Sequence, residues 1–139
     1  MRITIDFIPH LEQRYNTCGD WIFDRDGFGD DLTIRVSETG NWKWNVCIAI
    51  HELVEALACK ANGVTQEQVD AFDLGWKPNF GFEEPGEDPR SPYFTEHSVA
   101  SLIEKQMFDA LIPDVSTEWE LYEARLEALA KEYELREKA

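Results

Sequence analysis

Apolar and polar positions alternate at the start of the chain. Ile3, Ile5 and Phe7 are separated by Thr4 and Asp6, the two-residue period of a strand with one buried face. Trp21-Ile22-Phe23 is a second short strand candidate, and Leu32-Thr33-Ile34-Arg35-Val36 alternates again. Asp24 to Asp31, rich in Asp and Gly, has the composition of a hairpin turn. After a break over Ser37 to Asn41 the period changes. Helical spacing runs from about Trp42 to Lys60, with Gly63 placed to end it. Thr65 and Gln68 have the spacing of a capping box, opening a short helix through Val69 and Phe72. Leu74 to Phe94 holds four prolines and three glycines and reads as a long loop. Thr95 is placed to cap a helix to about Leu111, stopped by Pro113, and a last helix runs from near Ser116 almost to the end. The expected fold is α+β: a small antiparallel sheet of about three strands, then a central buried helix and two or three further helices, in a single domain over 1–139.

In the last helix Trp119, Tyr122, Leu126, Leu129 and Tyr133 follow 3-4-3-4 spacing. Such a stripe either docks on the chain's own core or forms the seam of a homodimer.

Composition narrows the functional classes. A chain of 139 residues with 43% hydrophobic and 12% aromatic side chains can enclose a core. Its net charge of −15 repels a phosphate backbone, which argues against direct nucleic-acid binding. The same charge attracts metal ions and basic protein surfaces, such as one on a host protein. No apolar run approaches membrane-spanning length, and the first residues turn polar too soon for a signal peptide. Cys18, Cys47 and Cys59 are odd in number and unpatterned, which points to reduced thiols in a cytoplasm.

The chemistry concentrates in one helix. Between Val46 and Cys59 only His51, Glu52 and Glu55 are ionisable, and apolar side chains cover nearly the whole remaining circumference. With His51 at zero, Glu55 lies about 40° away and Glu52 about 100° away. Burying a carboxylate without a partner costs several kcal/mol or forces it to take up a proton. This sector therefore faces a cleft or meets compensating charge, and a metal ion compensates several acids and an imidazole together. His51 and Glu55, one turn apart, can reach a single cation. In a purely structural reading, His51 is a core histidine and the two acids pair with Arg14, Arg35 or lysines.

His51-Glu52-Leu53-Val54-Glu55 resembles the His-Glu-x-x-His helix of zinc metallopeptidases, with Glu55 where that family has its second histidine. The resemblance implies a zinc ion, a metal-activated water and Glu52 as general base. His97 and Glu104, seven residues apart on the Thr95–Leu111 helix, supply further candidate ligands. The expected metal set is His51, Glu55 and His97, with Glu104 as an additional ligand.

A second constellation pairs Glu52 and Glu55 with Asp70 and Asp73. It resembles the ExxE…ExxD pattern of all-helical nucleoside triphosphate pyrophosphohydrolases, whose carboxylates hold magnesium. Here Asp70 stands in place of a glutamate and strands precede the site. The loop Asp24 to Asp31 is similar in composition to calcium loops but lacks their terminal glutamate. His10 reads as a loop histidine. Cys47 shares a face with His51, as a thiolate–imidazole pair or, more simply, as a buried structural cysteine. Neither a Gly-x-Ser-x-Gly nor a phosphate-cradling glycine loop is present.

Several stretches together resemble a family of small bacteriophage and prophage proteins. They are Arg14-Tyr15, Gly19-Asp20-Trp21, His51–Cys59, Val69–Asp73, Glu84-Pro85-Gly86 and Pro92-Tyr93 through His97. That resemblance implies a bacterial host cytoplasm and no particular activity. The functional expectations are thus a small zinc-dependent hydrolase, a non-catalytic acidic phage protein bound to a basic host-protein surface, and a magnesium-dependent nucleotide pyrophosphohydrolase.

Overall fold

The structure is a computed structural model that describes residues 1–24, 30–77, 82–112 and 115–139. Three strands, β1 (Ile3–Ile8), β2 (Gly19–Phe23) and β3 (Leu32–Ser37), precede four helices, α1 (Trp42–Asn62), α2 (Gln66–Gly75), α3 (Phe94–Leu111) and α4 (Val115–Glu137). Short 3-10 turns occur at His10–Glu12 and Pro85–Glu87. This is the α+β fold that the hydrophobic pattern predicts.

The sheet is mixed, in the order β1-β3-β2. β2 and β3 are antiparallel, with Trp21 opposite Ile34, and Asp24 N–H donates to Asp31 O at 2.9 Å where the strands end. Residues 25–29 of the expected hairpin turn and calcium-like loop lie outside the described residues. β1 lies parallel to β3, so antiparallel pairing holds for one of the two interfaces only. The cause is the connection between β1 and β2, which crosses the C-terminal end of β3 instead of turning back beside β1. The crossing is fastened there: His10 Nδ1 lies 2.8 Å from Ser37 Oγ, and Gln13 Nε2 donates to Arg35 O and Ser37 Oγ.

α1 covers the face of the sheet that carries Leu32, Ile34, Val36 and Trp21, all buried. Ile3, Ile5 and Phe7 align with Leu32, Ile34 and Val36 on that same face, yet they are 43%, 39% and 48% exposed. The alternation in β1 thus marks the correct side of the sheet, but α1 does not extend over the edge strand.

α1 begins where the Asn41 side chain accepts from Lys43 N–H and ends at Gly63, whose φ of 75° is the left-handed conformation a glycine adopts without steric cost. α2 opens on the expected capping box, with both Thr65–Gln68 bonds formed. α3 starts two residues earlier than a cap at Thr95 would place it, with Tyr93 at the cap position and no side-chain cap. The expected stop at Pro113 lies outside the described residues. α3 crosses α1, and Phe108, Cys47, Ala56 and Cys59 are fully buried between the elements. Each large side chain enclosed there contributes roughly 1.5–3 kcal/mol.

Of the α4 stripe, Tyr122, Leu129 and Tyr133 are buried, and Trp119 and Leu126 are partly buried against the core. The face that a homodimer seam would use is therefore taken up within the chain. Among the described residues no helix is long and apolar enough to cross a membrane.

Candidate metal centre

α1 delivers His51 and Glu55 one turn apart, and the first turn of α3 brings His97 against them. His51 Nε2 lies 3.2 Å from Glu55 Oε2 and 3.3 Å from His97 Nδ1, and His97 Nδ1 lies 2.9 Å from Glu55 Oε2. All three side chains are buried. Zinc about 2.0–2.1 Å from each of four tetrahedral donors sets those donors about 3.3 Å apart. The three distances come close to that edge length, so the atoms outline one face of a tetrahedron. They also form the group that could hold a metal ion among the described residues.

The atom of each donor side chain that points away from this face is also held. Glu104 Oε1 lies 2.8 Å from His51 Nδ1, and Tyr122 OH donates to Glu104 Oε2 at 2.8 Å. Glu84 Oε2 lies 3.4 Å from His97 Nε2. Trp21 Nε1–H donates to Glu55 Oε1 at 3.0 Å. A carboxylate on the far nitrogen of an imidazole fixes its tautomer and strengthens it as a ligand. Here it favours a proton on His51 Nδ1 and on His97 Nε2, leaving the lone pairs of His51 Nε2 and His97 Nδ1 free to converge.

Two glycines make room for these side chains. A Cβ on Gly86, in the turn Pro85–Glu87, would stand 2.5 Å from His97 Nδ1. A Cβ on Gly19 would stand 2.5 Å from Cγ and Oε1 of Glu52. Glu52 therefore lies directly on the β2 backbone, half-buried beside the cluster, and has no hydrogen-bond partner among the described residues.

The electrostatics favour positive charge at the site. Burial lowers the pKa of His97, but Glu55 and Glu84 outweigh it and raise the ring to about 9. Burial likewise opposes His51, and its bonds to Glu104 and Glu55 prevail, leaving it well above the usual histidine value. Burial raises Glu55, and the two histidines more than reverse this, to about 2. Burial, followed by repulsion from Glu55, pushes Glu52 well above the usual carboxylate range. Without an ion, protons on the imidazoles compensate the carboxylates, which is the role of a bound cation.

Of the expected ligands, His51, Glu55 and His97 converge. Glu104 reaches the site only through the far side of the His51 ring, as a support outside the converging group. Neither Glu52 nor Glu55 pairs with arginine or lysine among the described residues. Arg14 instead holds Asp20 and Asp70. Asp73 accepts from Tyr15 OH at 3.2 Å and Tyr93 OH at 2.6 Å, so Asp70 and Asp73 of the second constellation both have protein partners. His10, expected in a loop, instead opens the 3-10 turn after β1, where it is buried between Ser37 and Asn16. Burial pushes the Cys47 thiol up to about 12, which suits a structural core cysteine.

No local pattern in the sequence marks Trp21, Glu84, Tyr122, Gly19 or Gly86 as part of the site. Four of these five sit in two short stretches, Gly19-Asp20-Trp21 and Glu84-Pro85-Gly86, that pack against the cluster and Glu52.

Comparison with protein-family models, with curated proteins and with solved structures gives no match to this chain.

Proposed function

We propose that the protein is a small zinc-dependent hydrolase in which His51, Glu55 and His97 hold the ion and Glu52 is the general base. The reading is carried by the three buried donors, spaced like one face of a zinc tetrahedron. Two imidazoles and a carboxylate suit zinc far better than magnesium, which takes oxygen ligands and retains water. Three protein ligands leave the fourth position to water, whose pKa zinc lowers to about 7. Glu52, beside the cluster and without another hydrogen-bond partner among the described residues, is the group that can accept a proton from that water. The three free thiols and the resemblance to phage proteins favour a bacterial cytoplasm.

Elemental analysis of the purified protein tests the metal. About one zinc per chain is expected. His51→Ala and His97→Ala should each lose it with the circular dichroism spectrum unchanged. Glu52→Gln should keep the zinc and lose hydrolysis of labelled casein or nitrophenyl esters. A parent protein that takes up no zinc in a micromolar titration refutes the proposal.

The net charge of −15 favours a second reading, a non-catalytic protein bound to a basic host surface. A metal-free chain with tight, salt-sensitive binding to a basic partner is the outcome that selects it.

A further inference from the structure

β1 is an edge strand whose sequence fits its open side to a second copy of itself. Leu32 N–H donates to Arg2 O, and Glu38 N–H donates to Ile8 O. The even-numbered residues of β1 therefore turn their main-chain groups toward β3, and Ile3, Ile5 and Phe7 turn theirs outward. Among the described residues no hydrogen bond reaches those outward groups. The side chains of Ile3, Ile5 and Phe7 also project from the α1 face of the sheet, beyond the part that α1 covers. An edge with both free main-chain groups and apolar side chains is a template for strand addition.

We propose that two copies of the chain associate through antiparallel pairing of β1 with β1, continuing the sheet across a two-fold axis at Thr4. Only odd-numbered residues offer main-chain groups, so odd residues must face odd residues. With Ile3 opposite Ile5 of the second copy, those two exchange hydrogen bonds in both directions. Arg2 then falls opposite Asp6 of the second copy in the non-hydrogen-bonded pair, where side chains approach most closely. Shifting by two residues either way sets Arg2 opposite Thr4 or Ile8 and loses both ion pairs.

Arg2 and Asp6 are exposed and have no ion-pair partner among the described residues. Arg35, beside Asp6 on β3, turns its guanidinium to Glu12 O. The charge pattern of β1 is thus antisymmetric about Thr4, positive before it and negative after it, while the apolar positions are symmetric. That is the pattern an isologous contact requires. It also leaves this edge locally neutral on a chain whose net charge of −15 otherwise drives copies apart.

A charge-swap series in sedimentation equilibrium at 0.15 M salt tests the contact. The full-length parent should show a concentration-dependent dimer. Asp6→Arg and Arg2→Asp each set like charges opposite one another and should raise the dissociation constant about tenfold or more. The double variant, Arg2→Asp with Asp6→Arg, should restore the parent value. Both positions are exposed, so circular dichroism should show the fold intact in all three. A parent that stays monomeric at its highest soluble concentration overturns the proposal. So does a dimer indifferent to the single reversals, or one that the double variant fails to recover.

Discussion

Trp21 controls how Glu55 can act. Its indole N–H occupies Oε1 and leaves Oε2 turned toward His51 and His97. Trp21→Phe keeps most of the ring's bulk and removes that donor. Zinc affinity measured by competition with a chromophoric chelator should fall about 10–100-fold, while zinc still binds. Gly86→Ala acts on the ligand itself, because the added methyl would occupy the space of the His97 ring, and its loss should be larger. Gly19→Ala displaces Glu52 instead and should leave zinc affinity close to the parent's. Equal losses in the two glycine variants would contradict the division of roles between His97 and Glu52. His51 and Glu55 were legible in the sequence because acids and an imidazole stand out in an apolar helix and share one face. His97 was legible by residue type and helix position. Trp21 and Glu84 were not, because the group on the far side of a ligand is set by tertiary approach and leaves no local period.

Among the elements, α1 and the capping box of α2 follow from the sequence almost to the residue, since caps and helical period are local signals. β1 shows where such signals end. Its alternation identifies a face but not what covers it, and nothing in Ile3 to Phe7 reveals that β3 runs parallel to it. That choice is made by the crossing segment, whose anchors on Ser37 and Arg35 are long-range. The same segment carries Arg14, which bonds Asp20 at the start of β2 and Asp70 on α2. Asp20 is almost fully buried. Arg14→Ala leaves its carboxylate without a counter-charge and should cost about 2–4 kcal/mol. Urea denaturation will show this as a lower midpoint with an unchanged slope. A loss below about 0.5 kcal/mol would mean that the clip contributes no more than an exposed ion pair.

At the scale of the whole molecule, the cluster links folding to pH. The histidines hold protons more tightly in the folded chain than in the unfolded one. Their contribution to stability is complete below about pH 6.5 and, for His97, is lost as pH rises through about 9. Glu52, with its carboxyl pushed upward, moves stability in the same direction. Glu55 opposes them only in acid, where its contribution is lost as pH falls toward 2. Metal-free protein should therefore be less stable at pH 8 than at pH 6. Zinc competes with the same protons, so the rise in melting temperature on adding zinc should be greater at pH 8. Calorimetric scans of both forms at the two pH values decide this, and a smaller rise at pH 8 counts against the shared site. The enclosure of the donors has a kinetic consequence as well. An ion held by donors only 5–8% exposed would meet a competing chelator through its water-bearing position alone, so its exchange would be slow even against a strong competitor.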